Sequence, residues 1–475
     1  MKKHNILKIV LLAILVVFLC TWIFPLTYYS YGLVEDAREQ LGLFDLFSYP
    51  LVAFNYFSHI FLYVLVVGMF YGVLSKIPAY RMVLEKITKG FKGKEWIFLV
   101  LTIVILALIS SCCGFSFGLI LLFPMLISLI LMMGYNKLVA ASVTVGSVMA
   151  GIIGTTFAND NFIYTNQVLG TTYASELLFK FIILGLAVGL LIFHVLRYAK
   201  KTKNEEKTEL EELIPEQVTV VKGKKVRIWP FVLVFDLLLS ILLLGAFTWT
   251  SVFPKFTIFT QAYNWLKTFE LGGFPIFAKV LGNVQVFGEW SYMVGQVPVA
   301  TYSVTILFVT GIMALVNRVK FNDFLDGLSN GAKKAARPAT IMILIYMILI
   351  ISTYHPFQLA LTKMLLELTE GLNVLTMSAI AFLASFFNIE GMYQAQSTLP
   401  YVTSVITETS LYPLISVIFN SIYGIAMLVL PSSVILMGTL EYLGVSYGKW
   451  LKHIWKLFVA ILIVLLVVFL IMLAI

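Results

Sequence analysis

Apolar runs long enough to cross a bilayer follow one another along most of the chain, separated by short polar or basic clusters. About 20 helical residues cover a hydrocarbon core roughly 30 Å thick. On that measure the pattern predicts spans at 6–24, 51–74, 173–198, 229–249, 298–316 and 338–353, with a last span from the basic patch Lys449, Lys452, His453 and Lys456 to Ile475. Two units fall short of the measure. Runs at 96–109 and 117–133 flank SSCCGFSFG, and runs at 375–387 and 399–406 flank NIEGMYQAQST. Half-length pairs with a small or polar tip predict re-entrant hairpins; for the first, two ordinary spans joined by a tight turn remain the alternative.

Two further helices stop where a span should continue. The helix 138–157, rich in Gly, Ala, Ser and Val, runs into GTTFANDNFIYTN at 154–166, in which seven of thirteen residues are Thr, Asn or Asp. The helix 411–430 descends to Pro431, Ser432 and Ser433 and resumes as a half-helix to Leu443. Polar backbone at bilayer depth is tolerated only against protein or a water-filled cavity. An ordinary external loop is the plainer reading of 154–166. The second break, in a corresponding place, argues against it.

Charge sets the orientation. Lys2, Lys3 and Lys8 place the N-terminus in the cytoplasm, and the basic loops 76–94 and 318–337 are assigned to the same side. The C-terminus then lies outside. The charged stretch 198–228 is expected to be a cytoplasmic linker between a first half, 1–197, and a second half, 229–475. The segment 251–296 falls outside, with an interfacial helix expected at 259–269.

With 60% hydrophobic and 12% charged residues among 475, the chain reads as an integral membrane protein without room for a soluble catalytic domain. The net charge of +9 sits in loops between spans and gives no reason to expect nucleic acid. Cys20, Cys112 and Cys113 lack partners at metal-ligand spacing and read as free thiols. His4, His59, His194, His355 and His453 are scattered, and no nucleotide-binding loop occurs. No enzyme, cofactor or resident metal is expected.

The halves match. Gln167-Val-Leu-Gly170-Thr-Thr-Tyr173 reads against Glu441-Tyr-Leu-Gly444-Val-Ser-Tyr447, each after a polar break and before the last span of its half. The charge-derived topology starts one unit inside and the other outside. The expected fold is therefore an all-α polytopic membrane protein of two inverted repeats, each with a re-entrant hairpin and a broken helix. That is the signature of secondary transporters, which bind where the breaks meet.

The C-terminal PSSVILMGTLEYLGVSYGKWLK resembles the Pro-Thr-Ser-Gly…Gly-Val-Pro-Tyr-Gly-Lys-Trp-Leu-Lys signature of YfcC-like transporters, which belong with the DcuC-type anaerobic C4-dicarboxylate carriers of the ion transporter superfamily. Phe123-Pro124 through Gly134-Tyr135-Asn136 resembles the first-half signature. The resemblance implies a secondary carrier of the bacterial cytoplasmic membrane, often a homodimer, with a scaffold and a transport part displaced as an elevator. The site residues depart from the pattern. Gly114-Phe115-Ser116-Phe117 stands where members carry paired acids, and Asn159-Asp160 where they carry Asn-Pro. Glu390-Gly391-Met392-Tyr393 replaces Ser-Gly-Ser-Gly, and Ser432-Ser433-Val434 replaces Thr-Ser-Gly.

Within the four breaks, Ser111, Ser116, Asn159, Asn161, Asn388, Gln394, Gln396, Ser432 and Ser433 can replace a solute's hydration shell or merely cap helix ends. Asp160 and Glu390 are the acids there, and no basic residue accompanies them. An unpaired buried charge is costly, so this set is expected to suit a basic or zwitterionic amino acid, exchanged or ion-coupled. A sodium- or proton-coupled C4-dicarboxylate is the alternative, with Na+ expected near Thr155, Asn159 and Ser432. Lys180 either snorkels to the outer interface or supplies the missing positive charge.

Overall fold

The first apolar run forms α1 (Asn5–Ile23), followed by a two-stranded antiparallel ribbon, β1 (Thr27–Tyr29) and β2 (Leu33–Glu35). Then come α2 (Asp45–Leu74), α3 (Pro78–Gly90), α4 (Glu95–Cys113), a 3-10 turn (Gly118–Leu122), α5 (Phe123–Met132), α6 (Lys137–Ile153), α7 (Asp160–Leu169) and α8 (Leu177–Thr202). The remainder comprises α9 (Trp229–Ala246), α10 (Trp249–Val252), α11 (Ile258–Thr268), α12 (Ile276–Leu281), α13 (Val299–Val316), α14 (Phe321–Tyr354) and α15 (Gln358–Leu366). It ends with α16 (Val374–Phe387), α17 (Gly391–Val405), α18 (Tyr412–Val429), α19 (Val434–Leu443) and α20 (Tyr447–Ala474). This computed structural model describes residues 5–30, 33–35, 40–114, 116–157, 160–203, 226–247, 249–253, 255–281, 299–369 and 371–475, without the side chains at 33, 35, 160–163, 250, 251, 259, 260, 263, 280, 281, 299 and 300. Among them, eight helices are long and apolar enough to span a membrane. The chain is an all-α polytopic membrane protein.

The helix pair α2 and α14 forms a spine. Gly68 and Gly72 on one helix meet Gly327 and Gly331 on the other. A Cβ on Gly72 would sit 2.0 Å from the Gly327 carbonyl oxygen, and one on Gly331 2.1 Å from that of Gly68. This is the small-xxx-small device of membrane helix pairs, in which missing side chains let backbones touch. It also corrects two expectations. The basic stretch expected as a loop at 318–337 is largely the first half of a continuous 34-residue helix. Its glycines are contact points and not loop formers. The basic loop at 76–94 is mostly helix α3, which buries Ala79, Tyr80 and Leu84 behind a proline at its first position.

Against this spine lie α1, α13 and α19. Helix α4 packs on α6, α6 on α8, α16 on α18 and α18 on α20. The two sets also meet each other, α6 against α18 and α8 against α20. Helices α16 and α17 hold 14 and 15 residues. At 1.5 Å per residue each is only about 21–23 Å long. Their tip is shorter than the polar NIEGMYQAQST suggests, because α17 already begins at Gly391. The segment expected to be helical at 259–269 forms α11.

Candidate functional site

A helix that stops inside a membrane leaves carbonyls at its end without backbone partners, and each must be satisfied or solvated. At the end of α6, side chains do this. Thr155 Oγ1 donates to the Ile152 oxygen (2.6 Å), Ser421 Oγ of α18 to that of Ile153 (2.8 Å), and Ser111 Oγ to that of Gly154 (2.7 Å). Ser111, at the end of α4, also shares a hydrogen bond with Thr156 Oγ1 at 3.0 Å, and its carbonyl accepts the Thr156 amide at 3.2 Å. Gly151 and Gly154 let α4 and α8 close on this point. A Cβ at either would lie 2.4 Å from the neighbouring helix backbone.

The end of α18 is satisfied from α20. Tyr447 Oη donates to the Val429 oxygen at 2.5 Å and Trp450 Nε1 to that of Leu428 at 2.9 Å. Beyond it the accounting changes. Ser432 and Ser433 are 0% and 1% exposed, and neither hydroxyl has a partner among the described residues. Ser433 is the N-cap of α19 but makes no side-chain capping bond. Two buried hydroxyls therefore stand at an uncapped helix N-terminus, where amides and the helix dipole favour negative charge.

The turn between α16 and α17 approaches from another side. Tyr423 of α18 donates to the Ile389 oxygen at 2.9 Å. Glu390 accepts a 2.5 Å hydrogen bond from Tyr346 of α14, whose ring stacks on Phe57 of α2 with centroids 4.1 Å apart. Asn388 is paired with Gln358 of α15, its Nδ2 donating to Oε1 at 2.6 Å. Gln394 donates to the Ala381 oxygen at 2.9 Å and to Ser385 Oγ at 3.2 Å. Ser116 shares a 3.3 Å bond with Ser110, whereas Gln396 is exposed on the far side of α17.

Of the expected site residues, Asn159 lies outside the described residues, and the side chains of Asp160 and Asn161 do too. Their helix, α7, packs along α17 and α18. Lys180 reaches back to the segment before α8. It is 3% exposed and donates from Nζ to the Tyr173 oxygen at 3.2 Å. The histidines are less scattered than they read: His194 of α8 and His453 of α20 approach to 3.3 Å between Nε2 atoms, with Ser142 Oγ 2.8 Å from His453. Sequence reasoning missed Tyr346, Tyr423, Tyr447 and Gln358. A tyrosine inside the apolar run 341–351 was the available signal for the first.

The sequence profile of the DcuC family, described as C4-dicarboxylate anaerobic carrier, matches residues 4–474. The chain belongs to that family. This bears out the resemblance carried by the C-terminal signature. It also overturns the expected amino-acid substrate, because the DcuC family is described by a dicarboxylate. The expectation failed for a physical reason. It counted full charges in the breaks and gave too little weight to hydroxyls and helix amides as anion ligands. Among solved structures, the Alcanivorax borkumensis YdaH transporter, whose crystal structure has been described as revealing an unusual topology, is similar at 12% identity and a TM-score of 0.40 over 98% of both chains. A likeness of that size carries no argument. No curated protein sequence matches the chain.

Proposed function

We propose that this protein is a secondary active transporter that carries C4-dicarboxylates across the cytoplasmic membrane, coupled to sodium or protons. The observation that carries the reading is the family match over residues 4–474. The geometry agrees with it at Ser432 and Ser433, whose buried, partnerless hydroxyls at the start of α19 form a seat for one carboxylate. Ser111 and Ser116, Asn388 and Gln394 then act mainly as supports that hold the tips and breaks in place. Asp160 and Glu390 take the coupling ions; a dianion meeting two bare carboxylates would be repelled, so cations or protons must accompany it. Thr155, Asn159 and Ser432 remain the residues proposed for Na+.

In this reading 1–197 and 229–475 are inverted repeats joined by the linker 198–228, with the N-terminus in the cytoplasm and the C-terminus outside. The order spine helix, interfacial helix, hairpin, broken helix, last span recurs as α2 to α8 and as α14 to α20. The spine stays in place while the hairpins and broken helices move as an elevator, in a homodimer. Two contacts of α14 must then break in each cycle, Tyr346 with Glu390 and Arg337 with Glu441.

Uptake into proteoliposomes tests the reading. Succinate, fumarate or malate should accumulate under an imposed sodium or proton gradient, and arginine, ornithine and neutral amino acids should neither accumulate nor compete. Absence of dicarboxylate uptake under every gradient would refute it.

A further inference from the structure

Between α2 and α14 on one side and α5 and α19 on the other lies a cavity of about 520 Å³. That is within the range of small-molecule pockets, roughly 300–1,000 Å³. Val67, Phe123, Ile127 and Met342 form part of its wall, and Lys76, Lys333 and Lys334 line it as well. None of the three lysines has an acid within ion-pair distance among the described residues. The neighbouring arginines differ: Arg81 is paired with Glu85 at 3.0 Å, and Arg337 with Glu441. Tyr80, 1% exposed, also lines the cavity, and its hydroxyl has no partner.

Positive charge on the cytoplasmic side needs no function beyond orientation. Lys86 and Lys89, exposed on α3, fit that description. Lys76, half-buried, and Lys333 and Lys334, exposed at one end, differ because they line a half-open cavity that also holds an unsatisfied donor. One occupant would relieve both their mutual repulsion and the orphan hydroxyl: a small anion rich in acceptors. Helix α19 joins this space to the carboxylate seat. Ser433 stands at its N-terminus, and Gly438, Thr439 and Tyr442 line the cavity, about 8–14 Å further along at 1.5 Å per residue.

We infer that the cavity is a cytoplasmic vestibule that holds the dicarboxylate dianion between the Ser432–Ser433 seat and the cytosol, with Lys76, Lys333 and Lys334 as its charge partners and Tyr80 as a hydrogen-bond donor. The inference rests on the function and orientation proposed above.

Succinate transport by the triple variant Lys76→Gln, Lys333→Gln, Lys334→Gln tests it, measured separately in inside-out and right-side-out membrane vesicles. The cytoplasmic-side KM should rise at least fivefold and lose its dependence on salt, while the external KM stays within twofold. The triple Lys→Arg variant should restore the cytoplasmic value. Lys333→Gln alone, at an exposed position, should give about a twofold rise and guards against misfolding of the triple variant. An unchanged KM on the cytoplasmic face, or an equal rise on both faces, overturns the vestibule while leaving dicarboxylate transport standing. Reconstitution separates a lipid role. If the KM difference appears in phosphatidylglycerol vesicles and vanishes in phosphatidylcholine alone, the lysines hold lipid headgroups and the inference fails. Wild-type protein that moves no dicarboxylate would refute the underlying reading and the vestibule with it.

Discussion

The two helix breaks solve the same problem in opposite ways. After α6, the Ser111 and Thr156 hydroxyls are engaged with one another and with backbone, and the tip of α4 is tied to the break. After α18, the carbonyls are satisfied by Tyr447 and Trp450, yet Ser432 and Ser433 keep buried hydroxyls that nothing in the described protein uses. A buried unmade hydrogen bond costs about 1–3 kcal/mol. A fold that bears this cost at one break and avoids it at the other has a reason to do so, and a ligand that completes the bonds supplies one. The first break is thus read as a joint and the second as a seat.

The largest effect should come from the seat. Ser432→Ala with Ser433→Ala is expected to lower succinate kcat/KM at least 100-fold, which is about 2.7 kcal/mol. The thermal midpoint of the purified protein should stay level or rise, since two unsatisfied groups are removed. A fall in midpoint with kcat/KM per folded molecule unchanged would make the seat another joint.

The joint should respond in the reverse sense. Ser111→Ala removes donors to the Gly154 oxygen and Thr156 and leaves a carbonyl unsatisfied. A loss of about 1–3 kcal/mol in stability is expected, seen as a lower thermal midpoint in detergent. Transport per folded molecule should fall less than fivefold. If instead transport collapses while the midpoint holds, the first break also touches substrate and the contrast between the two disappears.

How much of this was legible beforehand follows from what each residue's neighbours are. The breaks at 154–166 and 431–433 were visible because polar residues interrupt apolar runs, a local property. The spine was not. Gly68, Gly72, Gly327 and Gly331 lie more than 250 residues apart in sequence as pairs and acquire meaning only when the two helices touch. Lys333 and Lys334 were assigned to a loop because helix propensity is weak beside the signal of charge and glycine. Their placement on the wall of a cavity depends on α2, α5 and α19 together. Ser432 and Ser433 were named from sequence, but that their hydroxyls lack partners, while the Ser111 hydroxyl and the Gln394 amide have them, is a matter of packing alone.

The smallest effect separates a residue that reads as part of the site from one that occupies it. Gln396 belongs to the polar run NIEGMYQAQST and was counted with Gln394 on that ground. Residues two apart on a helix point in very different directions, since each step turns about 100°. Gln394 faces α16 and binds the Ala381 oxygen and Ser385, so its truncation should cost about 1 kcal/mol in stability. Gln396 is exposed. Gln396→Ala should therefore change succinate kcat/KM by less than twofold, under about 0.4 kcal/mol, with an unaltered thermal midpoint. A tenfold loss would mean that α17 presents this face to the substrate during the transport cycle. The second hairpin would then belong with the seat, and the division between joint and seat would have to be redrawn along the hairpins instead of the breaks.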